Sequence, residues 1–172
     1  MTNKEASYKQ EHMVADYMGW RVVSGSGSRP FKPGDITSDY FLVECKTHIA
    51  PQNNVVFKKS HWDKIQIESQ STSKHPILVT DDGTQKSDHT WVMLPLFVIS
   101  NCTSVNVVDG WSNTSRSGNT VVFNHATAQH FYLDKSISEQ TSVFVFKWTP
   151  NSELVAIMPL SAYKEFYDRK FM

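Results

Sequence analysis

The chain has 172 residues, of which seventeen are basic and seventeen acidic, so its formal net charge is zero. With 40% apolar residues it can bury a core for one domain, or one domain with a sizeable insertion, which excludes a disordered or collagen-like protein. No apolar run reaches the ~20 residues that cross a membrane, the start lacks a signal-peptide layout, and Cys45 and Cys102 alone imply no disulfide framework. A cytoplasmic protein is expected, with accidental sequons at Asn101 and Asn113.

Residues 4–18 are predicted to be a helix, because Met13, Val14, Tyr17 and Met18 recur at helical spacing before Gly19. A short strand is expected over Trp20 to Val23, then a loop of alternating Ser and Gly from Ser24 to Ser28. Pro33-Gly34 signals a turn immediately before Asp35. Ile36 and the stretch Tyr40 to His48 are predicted as two strands of a hairpin turning at Thr37-Ser38-Asp39. A second helix is expected over residues 58–72, with Trp62, Ile65 and Ser69 along one side. Pro76 opens a strand from Ile77 to Thr80, closed by a turn at Asp81-Asp82-Gly83. Trp91 to Ser100 is predicted as a strand, and residues 101–120 as loops or an irregular β-excursion. Further strands are expected at Val121 to Phe123, Ser142 to Trp148 and Leu154 to Met158. Ser161 is expected to cap a final helix with Tyr163, Phe166, Tyr167 and Lys170 on one face. The predicted class is α/β with a mixed sheet flanked by helices. It forms a single domain, with a core at 4–97 and 142–172 and a β-rich insertion at about 98–141.

The segment that carries chemistry is Pro33-Gly34-Asp35 followed by Phe41-Leu42-Val43-Glu44-Cys45-Lys46. Strand side chains alternate, so Glu44 and Lys46 share a face about 7 Å apart at their backbones. Burial of Phe41, Val43 and Cys45 on the opposite face would fix that register. The hairpin brings Asp35 back beside Glu44, so two carboxylates and an amine converge. Phosphodiester hydrolysis uses this set: oxygen ligands hold magnesium, and the ion lowers the pKa of a bound water. The amine orients that water or balances charge on phosphorus. Glu11 is the expected third carboxylate, on the rim of the first helix's apolar face in line with Val14 and Met18. Glu5 falls on the solvent side. Residues 1–75 hold ten basic and eight acidic side chains. With Glu11, Asp35 and Glu44 neutralised by a cation, ten positive charges face five negative ones, a surface suited to phosphate. The histidines from His48 to His130 lack compact zinc spacing, and no phosphate-loop or dinucleotide glycine pattern implies a nucleotide cofactor.

Glu11, Ser24-Gly25-Ser26-Gly27-Ser28, Lys32-Pro33-Gly34-Asp35-Ile36 and Val43-Glu44-Cys45-Lys46 together resemble the PD-(D/E)XK nuclease superfamily. The pattern looks most like its Holliday-junction-resolvase branch and phage relatives. Lys58 to Ile65 and Pro76 to Val79 suit that family's next helix and strand. The resemblance covers residues 5 to about 82. It implies a restriction-endonuclease-like core in which Asp35, Glu44 and the Cys45 carbonyl ligate magnesium, with manganese able to substitute. It also implies that Lys46 positions the attacking water while Glu11 completes the acidic cluster. Ser26, Ser28, Arg29 and Lys32 would meet backbone phosphate. Gln66 occupies the helix on which some members place a polar residue near the metal, and Lys58, Lys59 and Lys64 could track DNA. The expected activity is structure-selective cutting of branched DNA by a homodimer, with Trp111 and Arg116 in the insertion gripping a junction or a partner. The rival readings are a restriction- or repair-type nuclease on linear DNA and a non-catalytic DNA-binding protein of the same fold.

Overall fold

The computed structural model describes residues 1–25, 32–109 and 118–172. The first helix, α1 (Asn3–Met18), begins with a capping box. Thr2 Oγ1 accepts from the Glu5 N–H, and the Glu5 carboxylate accepts from the Thr2 N–H. Glu5 is thereby occupied at the helix start, on the solvent side. Gly19, at φ 72°, ends the helix, and its N–H reaches back to Ala15 and Asp16.

Strand β1 (Arg21–Val22) pairs with β2 (Ile36–Thr37), and β2 pairs with β3 (Phe41–Lys46), both antiparallel. The chain continues through β4 (Asn54–Lys58) and α2 (Lys59–Gln70) into β5 (His75–Asp81), which runs parallel to β3 with Lys46 opposite Thr80. After the turn at residues 82–89 come β6 (Thr90–Pro95) and α3 (Leu96–Ser100). The second half supplies β7 (Val105–Val107), β8 (Thr120–Asn124), α4 (His125–Lys135), β9 (Thr141–Phe146), β10 (Val155–Pro159) and α5 (Leu160–Phe171). Eight strands form one mixed sheet in the order β1-β2-β3-β5-β6-β10-β9-β7, while β4 and β8 form a separate antiparallel ribbon. The architecture is thus α/β with helices against a mixed sheet. Among the described residues no helix is long and apolar enough to cross a membrane.

Hydrophobic burial sets the layers. On β3, Phe41, Leu42, Val43 and Cys45 are all buried, so the strand is covered on both faces rather than only one. Phe41 packs against Trp20 and against Tyr163, Tyr167 and Phe171 of α5. The second helix buries Trp62, Ile65 and Ser69, the predicted side.

Three expectations are corrected, and one strand, at residues 54–58, falls where none was expected. The apolar run 91–100 is a strand only to Pro95, because proline has no N–H for the ladder and its φ of −61° opens the helix α3. Val98 and Ile99 are as buried as the strand residues, so apolarity alone does not mark the change. The final helix starts at Leu160 behind Pro159, which leaves Ser161 inside the first turn with no capping role. Residues 54–58 form a strand, with Val55 and Phe57 inward and Asn54 and Lys58 outward. Residues 125–135 form a helix that buries His125, Ala128 and Tyr132 and packs Phe131 against the core, capped by Asn124 accepting from the Thr127 N–H.

The Asp81-Asp82-Gly83 turn closes with its acids occupied. Asp81 accepts from Thr47 Oγ1, the Gly83 N–H and the Gln85 N–H. Gly83 sits at φ 88°, and a Cβ there would collide with the Ala50 carbonyl. Asp82 accepts from Thr84 and contacts His89 Nδ1 at 2.6 Å. The His89 ring stacks on His125 at 4.2 Å, and Trp91 Nε1 donates to His125 Nδ1 at 3.0 Å. That bond requires His125 to be neutral at Nδ1, and it ties the start of α4 to the main sheet.

Burial, then the neighbouring His89, holds the His125 pKa below its ordinary 6.5, against the opposing pull of Asp82 and Asp88. A depressed imidazole pKa means that the unfolded chain takes up a proton before the folded one does. Stability is therefore lost as pH falls below 6.5. His125→Gln keeps an acceptor for Trp91 and cannot titrate. It is expected to flatten the loss of melting temperature between pH 7.5 and 5, read by tryptophan fluorescence. Equal losses in both proteins would remove His125 from the acid response.

Candidate active site

The site begins at a turn only glycine can make. Gly34 has φ +70°, and a Cβ on it would lie 2.7 Å from Leu42 Cδ1 and 3.1 Å from the Val43 carbonyl. Its N–H donates to Glu68 Oε2 at 2.9 Å. The Asp35 N–H then donates to the Val43 carbonyl at 2.7 Å, and the Asp35 carbonyl accepts from the Val23 N–H at 2.8 Å. Because Ile36 pairs with Val43, the register puts Asp35 across from Glu44. Asp35 Oδ2 accepts from the Cys45 N–H at 2.8 Å, which fixes the carboxylate against β3.

Glu44 is the most enclosed member, its side chain only 2% exposed. A carboxylate this buried needs compensating charge. Two ammonium groups supply it: Lys46 Nζ lies 2.5 Å from Oε1, and Lys64 Nζ lies 2.7 Å from Oε2. Burial opposes ionisation of Glu44, but the two lysines outweigh it and hold the pKa below the usual carboxylate value. Asp35 moves the other way, raised first by burial and then by the Glu44 charge, with the Cys45 N–H and Lys46 in partial opposition.

Glu11 joins the group from α1. Burial raises its pKa to about 7, with Asp35 and then Glu44 adding to the shift and Lys46 opposing it. The neighbouring residue secures the approach. Gln10 is fully buried, and its Nε2 donates to the Lys46 carbonyl at 2.8 Å. The helix is thereby tied to the strand end that carries the amine.

The structure brings Glu11, Asp35, Glu44 and Lys46 together, and adds members the sequence reading did not place there. Lys64 was expected at most along DNA; it grips Glu44 and also lies 3.3 Å from Glu68. Its Cα lies on the exposed side of α2, so only the reach of a long side chain brings it in. Burial lowers its pKa, but Glu44 and Glu68 more than reverse that. His61 is half-buried beside the same charges: desolvation, then Lys46 and Lys58, push its pKa down to about 4, so it is neutral.

Of the residues expected to meet DNA, Lys32, Lys59 and Gln66 have partners of their own. Lys32 Nζ donates to the Ser24 carbonyl at 2.7 Å. Lys59 pairs with Asp63 at 2.7 Å, and Lys58 and Lys59 line an open depression of about 450 Å³ with Ser60, Asp63, Asn119 and Thr120. Gln66 is not at the carboxylate group; its Nε2 donates to Glu153 at 3.0 Å. Ser26, Ser28, Arg29, Trp111 and Arg116 lie outside the described residues.

Among the described residues no group of three or more His, Cys, Asp or Glu side chains is set to hold a metal ion. Magnesium does not demand such a set, because it keeps several waters and binds through one or two carboxylates. Asp35 and Glu44 match that donor chemistry, and Glu11 brings a third acid within electrostatic range. Comparison with protein-family models, with curated proteins and with solved structures returned no match.

Glu11 offers a direct test of the crowding. A raised carboxyl pKa means that the folded chain holds a proton more tightly than the unfolded one, so stability falls as pH rises from 4.5 to about 7. Glu11→Gln removes that penalty. The variant is expected to exceed wild type at pH 8 by on the order of 1 kcal/mol, after allowing for solvent screening of a half-exposed group. At pH 4 the two should match. Urea unfolding at both pH values reads the difference, and identical curves at pH 8 would mean that neither burial nor the neighbouring acids strain Glu11.

Proposed function

We propose that this chain is a magnesium-dependent, structure-selective endodeoxyribonuclease with a restriction-endonuclease-like core, acting as a Holliday junction resolvase. The observation that carries the reading is the meeting of Asp35, Glu44 and Lys46 at one strand end, with Glu11 closing on them from α1. The resemblance of the same residues to the PD-(D/E)XK pattern supports it.

In this reading Asp35, Glu44 and the Cys45 carbonyl would hold the divalent ion, Glu11 would complete the acidic cluster around it, and manganese could replace magnesium. The bound ion supplies a water of lowered pKa and a positive charge for the phosphate oxygens. Lys46 orients the attacking water and offsets charge gathering on phosphorus. The water gives up a proton to solvent as its oxygen bonds to phosphorus, one phosphorus–oxygen ester bond breaks, and the departing oxygen takes a proton from solvent. Lys32, Lys58 and Lys59, with Ser26, Ser28 and Arg29, contact backbone phosphates. Gln66 would have to give up its exposed bond to Glu153 to reach the substrate. Two nicks placed symmetrically across a four-way junction call for a homodimer with one site per subunit. Such an enzyme works in the cytoplasm, in the host's if a phage encodes it.

Gel cleavage of a four-way junction and of its matched linear duplex, with magnesium or with chelator, tests the proposal. Wild type is expected to nick the junction in magnesium alone. Lys46→Ala and Asp35→Asn are expected to cut roughly 10²- to 10³-fold more slowly, the cost of losing one charge-stabilising group. Their affinity for the junction in calcium should change little. Equal cutting of both DNAs would transfer the reading to a restriction- or repair-type nuclease. Binding without any cutting would leave a DNA-binding protein of the same fold.

A further inference from the structure

We infer that Lys64 is a resident counter-cation of the site, holding Glu44 while no divalent ion is present and giving way when one binds. The inference rests on the magnesium reading above and adds how access to that site is controlled.

Both Glu44 oxygens already face an ammonium group, Lys46 on Oε1 and Lys64 on Oε2. A divalent ion approaching Glu44 meets these positive charges first, so one must retreat. Lys46 is the constrained partner. It sits two residues along the same strand, its backbone is paired opposite Thr80, and its carbonyl is bound by Gln10. Lys64 is the free-moving one. It stands on a helix, its side chain is 50% exposed, and a second acceptor waits one turn away in Glu68.

Glu68 is itself fixed, because its Oε2 accepts from the Gly34 N–H beside Asp35 while its Oε1 lies 3.3 Å from Lys64 Nζ. The ammonium already bridges the two carboxylates, so it can give up Glu44 and keep its ion pair with Glu68. The shift fully onto Glu68 is one its flexible stem covers. The same turn that positions Asp35 holds the alternative acceptor, so both ends of the exchange are built in.

Competition of this kind has an unusual signature. Removal of a merely structural lysine loosens a site and weakens its ion; removal of a competitor tightens it. In calorimetric titrations of the DNA-free, full-length protein with Mn²⁺, Lys64→Met and Lys64→Gln are expected to bind about 5-fold more tightly than wild type, the scale of one screened charge pair. Lys64→Arg, which retains the charge, should stay close to wild type. Circular dichroism confirms that each variant is folded, and two different neutral replacements guard against a folding defect in one. Unchanged or weaker Mn²⁺ binding by both neutral variants, with wild-type binding intact, overturns the inference and leaves the magnesium reading standing. Wild type that binds no Mn²⁺ overturns the magnesium reading and the inference with it.

Discussion

A single ionised carboxylate buried at the end of a central strand governs the rest of this molecule. Glu44 lies on β3, which is covered on both faces, where an unpaired charge would cost several kcal/mol. Its presence forces two lysines inward, one from its own strand and one from α2. The helix must therefore lie where a lysine stem can reach the strand, and the parallel β3–β5 pairing across which α2 connects places it there. Fold and charge constrain each other. Hydrophobic burial on β3 fixes which side chains alternate, and the acid that results dictates where compensating cations must sit.

The acids around Glu44 divide into two kinds. Glu44 itself is satisfied and ionised. Asp35 and Glu11 are raised, Asp35 because it is buried against Glu44 and Glu11 because it approaches both. Groups whose surroundings push their proton affinities apart mark sites of chemistry more often than structural ion pairs do, although they do not name the reaction. The turn acids at residues 81–82 are pushed apart too, Asp81 upward by burial and Asp82 downward because His89 and Thr84 outweigh its burial. What differs is their bonding: neighbouring donors occupy both, and they serve the chain reversal and the docking of α4 through His89 and His125.

Much of this was legible in the sequence wherever one physical rule dominated. Helical spacing revealed α1 and the buried side of α2; period-two alternation placed Glu44 and Lys46 together; Pro33-Gly34 marked the turn that only glycine accommodates. Legibility failed where two rules competed or where reach mattered more than spacing. The apolar run through Val98 and Ile99 obscured the change from strand to helix at Pro95. The helix at 125–135 turns a histidine, an alanine, a half-buried phenylalanine and a tyrosine to the core, a mixed face too polar to read as an apolar stripe. Lys64 was invisible as a site residue because its backbone position is exposed and its partner is twenty positions away. Gln66, two residues on, looked equally suitable and points to Glu153 instead.

The bond from Gln10 to the Lys46 carbonyl has a consequence for anyone who would move this motif elsewhere. Helix and strand are latched at the very residue that bears the amine, so α1 cannot slide or rotate without dragging that lysine along. A graft of the hairpin alone onto another scaffold would carry the letters of the motif but leave behind its alignment. The smallest portable unit is the hairpin together with α1 and with α2, which brings Lys64 and Glu68.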